Sequence, residues 1–422
     1  MVDDVWTTDS SATLLLVGSG FQAYREWILR SVSRRFRLWL LSSSPADWAT
    51  PYLAGQTFVD ALDVDAAIAA VRTLRETRPL AGILCYDELR IVAGATIAEA
   101  LGLPTTSARS VLACRDKRLS RQLMTEAGDL GPQSIGVTDL AGAQRAAERI
   151  GYPVVLKPRA LAGSEGVAKV DGPGQLVERF AFTKAAHFDD VPRFDEDVLV
   201  EEYLDGPEIA IDSVVWKGEV RPVFVSHKQF DLAPTFEETG HVISAEDPLL
   251  RDRELTELVR AAHSALGFDH GVTHTEVRLT RHGPRIVEVN GRLGGDLIPY
   301  VGLLATGIDL ALAAADLAAR RMPDLRPRRA RTAAVRFYYP ARDLVVERVR
   351  VDPAGLPPHI SEVRPLAGQG DTLLRPPGAF VFGRAAAGFA VADDQDTCRR
   401  ALDGLADTIE IAGHPVPEKQ PI

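Results

Sequence analysis

Residues 273–296 read THTEVRLTRHGPRIVEVNGRLGGD, and the fold turns on how this stretch is parsed. Residues 272–279 and 285–290 are strand-like runs on either side of Arg281-His282-Gly283-Pro284, a turn sequence, so together they predict an antiparallel hairpin. Glu288 and Asn290 stand two apart on one strand and therefore share a face. Glu276 falls close to opposite them on the other strand. The flanking residues Val277, Leu279, Ile286, Val287 and Val289 are apolar. Carboxylates facing each other across a sheet repel unless a cation lies between them. Three oxygen donors suit Mg²⁺ held jointly with nucleotide phosphates, which makes Glu276, Glu288 and Asn290 candidate metal ligands. Arg292 follows two residues later, before Gly294-Gly295-Asp296, where a guanidinium can stabilise charge developing on an acyl phosphate. The structural alternative for Arg292 is a salt bridge to Asp296 that only holds the loop. For each acid it is a plain surface charge.

Upstream, VVLKP (Val154–Pro158) is an apolar strand that ends in Lys157. A lysine there directs its ammonium along a sheet face toward an anion. Gly163-Ser164-Glu165-Gly166 follows, and its glycines let backbone N–H groups approach phosphate oxygens. The loop is not a Walker loop, because GxxxxGK[ST] is absent. Lys117 is the partner lysine, within residues 111–127, which read as one amphipathic helix. Glu201-Glu202-Tyr203-Leu204 precedes Asp205-Gly206-Pro207-Glu208. A strand ending in such a turn offers backbone groups that imitate a base pair for adenine, and a carboxylate for ribose hydroxyls. An ordinary acidic hairpin is the alternative. Residues 231–246 show little periodicity and read as a loop.

Residues 1–107 alternate strand and helix signals: strands at 13–17, 37–41, near 57–60 and at 82–86, with helices at 22–33, 63–77 and 89–101. Helices between apolar runs predict a parallel sheet. The Gly18-Ser19-Gly20 turn lacks the third glycine of GxGxxG and has Tyr24 near that place, which favours a tight turn over an NAD(P) site. Asp87 and Glu88 follow the last strand at its carboxyl end, where open α/β sheets bind ligands; a helix N-terminal charge effect is the alternative. RPRRAR at 326–331 reads as a basic linker. Residues 329–422, with short strands and many Gly/Pro turns, predict a small separate β-rich module.

Composition agrees with a multidomain globular chain: 422 residues, 46% hydrophobic and 25% charged. A net charge of −10 argues against a general nucleic-acid partner. Cys85, Cys114 and Cys398 lie far apart and form no zinc or disulfide pattern. No apolar run of ~18 residues suggests a membrane span. The acidic start (Asp3, Asp4, Asp9) has the wrong sign for a signal peptide. The expectation is a soluble, cytoplasmic protein.

In their order and approximate spacing, Lys117, Lys157, the glycine loop, the Glu-Glu-Tyr-Leu hinge and the Glu…Glu-x-Asn triad resemble the ATP-grasp enzymes, over about residues 13–415. Within that superfamily FEETGH (236–241), THTE (273–276) and EVNGRLGGD (288–296) look like the bacterial L-amino-acid ligases (dipeptide synthetases) and carnosine synthase. Residues 333–411, including VRFYYP, resemble the C-terminal domain of those ligases. The resemblance implies an α/β (α+β) fold: a Rossmann-like preceding domain (1–107), an ATP-grasp domain (108–328) with a lid at about 131–198, and a C-terminal β-rich domain (329–422).

It also implies roles. ATP and Mg²⁺ would be the cofactors, with Mn²⁺ an admissible substitute. Lys117, Lys157, Ser164 and Gly166 would hold ATP phosphates; Glu201, Glu202 and Leu204 would meet adenine and Glu208 the ribose. Glu276, Glu288 and Asn290 would ligate the metal, and Arg292 would be catalytic. Glu238, His241, His274, Gly294 and Gly295 would bind substrate. Three departures fall around the loop and the substrate segments: Glu165 in the glycine loop, Ile243-Ser244 after Gly240-His241, and Ser226-His227-Lys228 where relatives often have Thr-Asp-Lys.

The implied activity is amide formation from a carboxylate and an amine through an acyl phosphate, releasing ADP and phosphate. Small-molecule carboxylates and amines are the expected partners, without nucleic acid or membrane, and a homodimer is compatible with the sequence. Three alternatives stay open here: a carboxylase or purine-pathway ATP-grasp enzyme using bicarbonate or formate, a non-catalytic nucleotide-binding protein of the same fold, and an NAD(P) enzyme.

Overall fold

The computed structural model describes residues 12–187, 197–232 and 235–417. Asp3, Asp4 and Asp9 lie outside them. Thr13–Val17 is buried at every position, as an apolar run without alternation must be when both sheet faces are covered. It is a central strand of a parallel sheet ordered Leu53–Thr57, Arg37–Leu41, Thr13–Val17, Leu80–Leu84. Helices Gln22–Val32, Val64–Thr77 and Ile91–Ala100 lie between and after these strands. Gly18 and Gly20 take φ of +71° and +72°, the left-handed region open to glycine, and make the tight exit from the first strand. The strand expected near 57–60 instead occupies Leu53–Thr57. Beyond it the Asp60 carboxylate accepts the Leu62 N–H, a turn that ends the extended run.

An eight-stranded sheet forms the centre. Its order is Gly283–Asn290, His270–Thr280, Glu208–Trp216, Glu219–Gln229, Gly240–Ser244, Thr332–Tyr338, Ala386–Ala392, Ile360–Pro365, every pair antiparallel. Two expectations change here. Gly240–Ser244, read as loop because five residues with a His and a Ser show little pattern, is a largely buried inner strand. It receives Thr332–Tyr338 along its free side, so residues 329–422 do not fold apart. Among the described residues of this segment, only Thr372–Leu373, Leu344–Val351 and Ile409–Pro415 make a sheet of their own.

The parallel sheet and the large sheet share one core. Leu14, Trp27 and Leu38 cluster with Phe224, Phe337 and Phe389, and helix Leu310–Ala318 lies between. At Gly82 a Cβ would fall 1.8 Å from the Ala318 carbonyl oxygen, so the approach of strand and helix requires glycine. A further, four-stranded antiparallel sheet covers the cleft: Ser134–Val137, Val198–Glu202, Val154–Pro158, Ala168–Val170. Among the described residues no single helix is long and apolar enough to cross a membrane.

Candidate active site

The cleft lies between this covering sheet and the face of the large sheet that bears Glu276 and Glu288. The hairpin register sets Glu276 directly opposite Glu288 and His274 opposite Asn290. Glu276, Glu288, Asn290 and His274 all line the cleft. Glu276, Glu288 and Asn290 offer oxygen donors to a hard cation, while His274 beside them offers only nitrogen. Ammonium groups already stand beside both acids: Lys117 Nζ lies 3.1 Å from Glu288 and Lys228 Nζ lies 3.1 Å from Glu276. A divalent cation bound there would share the acids with these lysines, which fits the residues present.

Lys117 owes its position to a helix break. Residues 111–127 do not run as one helix: Ala108–Arg115 and Lys117–Glu126 are separated by Asp116, which is extended. Its carboxylate accepts the N–H groups of Arg118 and Leu119 and is held by Arg159 at 2.7 and 2.6 Å. Aspartate is a preferred helix cap, so a new helix starts at Lys117. Lys117 Nζ also donates to the Leu161 carbonyl at 2.7 Å, at the start of the glycine loop.

Lys157 is 2.8 Å from Glu201, and Arg121 grips the same carboxylate at 2.8 and 3.2 Å. Burial pushes the Glu201 carboxyl up, but Arg121 and then Lys157 outweigh it and hold it at about 2. Glu201 is therefore an anchor for Lys157 as well as a wall of the cleft. Glu208 is likewise engaged, by Lys228 at 2.7 Å and Arg278 at 2.7 Å.

The Lys228 side chain is fully buried among three carboxylates, Glu208, Glu238 (2.8 Å) and Glu276. Burial alone would lower its pKa; the three acids raise it well above the usual lysine range, so it stays charged. His274 donates toward Asp212 at 2.7 Å and lies 3.7 Å from Glu276. Burial opposes its charge, yet Asp212 and Glu276 push its pKa up to about 9.

Arg292 does not bridge to Asp296. Its Nε pairs with Glu88, which also meets Arg115 at 3.2 Å, and its Nη1 donates to the Leu293 carbonyl at 2.8 Å. Glu88, at the carboxyl end of the parallel sheet, thus reaches the large sheet's site. Asp296 belongs instead to Arg384, at 2.8 and 2.9 Å.

Of the other expected site residues, Ser164, Glu202, Leu204, Glu238 and Gly295 line the cleft. Ser164, at φ +58°, donates its hydroxyl to the Phe236 carbonyl at 3.0 Å. His241, Gly294 and Gly166 do not form the wall. His241 is buried behind Glu238 and Asp296, 3.4 and 3.5 Å away. At Gly294 a Cβ would fall 2.8 Å from His274, and at Gly166 2.8 Å from Pro158. The sequence reading missed Lys228 as a hub, Asp212, Arg121, Arg278 and Arg384. Lys228 had a signal, a lysine in a buried strand; the others depend on partners far along the chain.

Comparison with known proteins bears on the fold. Residues 150–300 match the model of the ATP-grasp domain, and residues 40–105 that of the ATP-grasp N-terminal domain. The chain is 29% identical over 357 residues to the y4rH protein of Sinorhizobium fredii, covering 81% of this chain and 71% of that one. It is 27% identical over 247 residues to alanine–anticapsin ligase of Bacillus subtilis, covering 54% of this chain and 52% of that one, so it spans about half of that relative. The structure of L-amino acid ligase from Bacillus licheniformis superposes with a TM-score of 0.80 at 22% identity, covering 96% of this chain and 99% of that one.

Proposed function

We propose, from the premise that this chain has the ATP-grasp fold, that it is an ATP-dependent carboxylate–amine ligase joining amino acids or amino-acid-like substrates. The carrying observation is the hairpin register, which sets Glu276 against Glu288 with Asn290 beside them, in one cleft with Lys117 and Lys157. Likeness to an alanine–anticapsin ligase and to the fold of an L-amino acid ligase supports the same reading.

In this reading Lys117 and Lys157 neutralise the ATP phosphates, while the loop carrying Ser164 and Gly166 closes over them. Glu201, Glu202 and Leu204 frame adenine, and Glu208 meets the ribose. Mg²⁺ or Mn²⁺ at Glu276, Glu288 and Asn290 would supply further charge neutralisation on those phosphates. A substrate carboxylate oxygen attacks the terminal phosphorus and ADP leaves. The second substrate's ammonium first gives up a proton to solvent; its neutral nitrogen then attacks the acyl carbon, the bond from that carbon to the phosphate oxygen breaks, and the nitrogen's further proton leaves with the phosphate as the amide forms. Arg292 stabilises the oxyanion of that second step. Glu238, His274 and Gly295 face the substrates, with Gly294 and His241 packed behind them. The covering sheet excludes water, which would otherwise hydrolyse the acyl phosphate.

The test is ADP release across all pairs of amino acids and small acids, with products identified by mass spectrometry. Release that needs both a carboxylate and an amine, with an amide product, is expected. Release driven by bicarbonate or formate alone would reassign the protein, and nucleotide binding without release under any pair would refute the ligase reading.

A further inference from the structure

Arg384 is among the largest fully buried side chains in the protein. A guanidinium is costly to bury unless its donors are met. Here they are met by groups far away in sequence. Nε donates to Glu237 Oε1 at 3.0 Å and lies 3.1 Å from the Tyr339 hydroxyl. Nη1 and Nη2 grip the two Asp296 oxygens at 2.9 and 2.8 Å, and Nη2 also donates to the Glu238 carbonyl at 2.9 Å. The guanidinium carbon lies over the Phe337 ring, 3.7 Å from its centroid.

The groups so held border the cleft. Glu238 and Asp296 line it, with His241 between their carboxylates and without a partner on Nδ1. Asp296 and Leu297 both sit at positive φ, +49° and +61°, a backbone shape that non-glycine residues hold only when neighbours impose it. The bidentate grip of Arg384 is such an imposition. On its other side the network reaches the glycine loop. Ser164 donates to Phe236, next to Glu237, and a Cβ at Gly163 would touch Val381, three residues before Arg384.

We infer that Arg384 is a positioning residue that fixes Asp296 and Glu238 as an acidic face for the ammonium group of the amine substrate, and ties that face to the seat of the glycine loop. This rests on the ligase reading. Arg384 touches no reacting atom; it acts through the two acids. Lysine in its place keeps the charge but loses the planar fork that spans both Asp296 oxygens.

The experiment is steady-state kinetics of Arg384→Lys, with KM measured separately for amine, carboxylate and ATP, and amide formed per ADP released. The expected result is at least a tenfold rise in KM for the amine and a fall in amide per ADP, as water replaces the poorly seated amine. KM for the carboxylate and affinity for ATP should stay within about threefold. Glu237→Gln loosens Arg384 from the side away from the cleft and should raise the amine KM at least threefold, which covers the case of an unfolded Arg384→Lys. An unchanged amine KM in a folded variant, or equal losses for amine, carboxylate and ATP, overturns the inference. Wild-type protein without amine-dependent ADP release overturns the ligase reading and this one with it.

Discussion

His274 gives the sharpest quantitative test of the site's electrostatics. It is 4% exposed, 2.7 Å from Asp212 and 3.7 Å from Glu276. Burial opposes the imidazolium, and the two carboxylates reverse that, raising the pKa from 6.5 to about 9. The rise favours the charged form by about 3 kcal/mol, with little solvent to screen it. Because the folded value lies above the unfolded one, this stabilisation is fully present below pH 6.5 and is lost as pH climbs through about 9. Asp212→Asn keeps the shape and removes the nearer charge. With Glu276 alone as partner, His274 should then titrate below about 8. The assay is NMR of protein labelled with ¹³C-histidine, titrated from acid to alkaline pH. The His274 resonance is identified by its disappearance in His274→Asn. A wild-type inflection at or below 6.5 would refute the reasoning, and so would an unchanged inflection in Asp212→Asn.

Other predictions concern single elements. Glu288→Gln should weaken Mn²⁺ binding in the presence of nucleotide, read by electron paramagnetic resonance, and sharply reduce turnover with the fold intact; near-wild-type metal binding would remove Glu288 from the ligand set. Limited proteolysis of the free protein should cut within residues 160–187, and ATP with Mg²⁺ should protect them, since the loop at Gly163 and Gly166 closes over nucleotide. Equal cleavage in both conditions would remove the closing role. Arg292→Ala should lower the amide-forming rate by ~10²–10³ with ATP affinity kept within severalfold, and Arg292→Lys should rescue poorly. Parallel loss of ATP affinity and thermal stability would mean that Arg292 chiefly serves as the tie to Glu88.

The hairpin was legible because its signals are local. Turn residues at 281–284 separate two apolar runs, but the facing of the two acids needs one more feature: a bulge between Ile286 and Glu288 shifts the register by one residue and so sets Glu276 against Glu288. Lys157 was legible for the same reason, as the charged end of an apolar strand. The break at Asp116 carried a local signal, a capping aspartate before Lys117, but the apolar periodicity of 111–127 hid it, and the hold of Arg159 on that carboxylate comes from another element. Gly240–Ser244 was missed because its strand character comes from neighbours on both sides, one of them about ninety residues later. The Arg384 network lay beyond reach altogether: its partners Glu237 and Asp296 stand 147 and 88 residues away. Periodicity carries no information about such pairings, and charge alone does not say which acid an arginine will choose.

The strand order of the large sheet has a consequence for synthesis. Its first five strands to emerge from the ribosome run from Glu208–Trp216 to Gly283–Asn290, yet one of the two neighbours of Gly240–Ser244 is Thr332–Tyr338, which comes later. Throughout the interval between them, a nascent chain that has begun to fold carries an open β-edge, with unpaired N–H and C=O groups along a strand that the finished fold largely buries. Such an edge is a template for pairing with another chain. The window closes only when residue 338 has cleared the exit tunnel, and translation pauses before that point should raise the aggregated fraction.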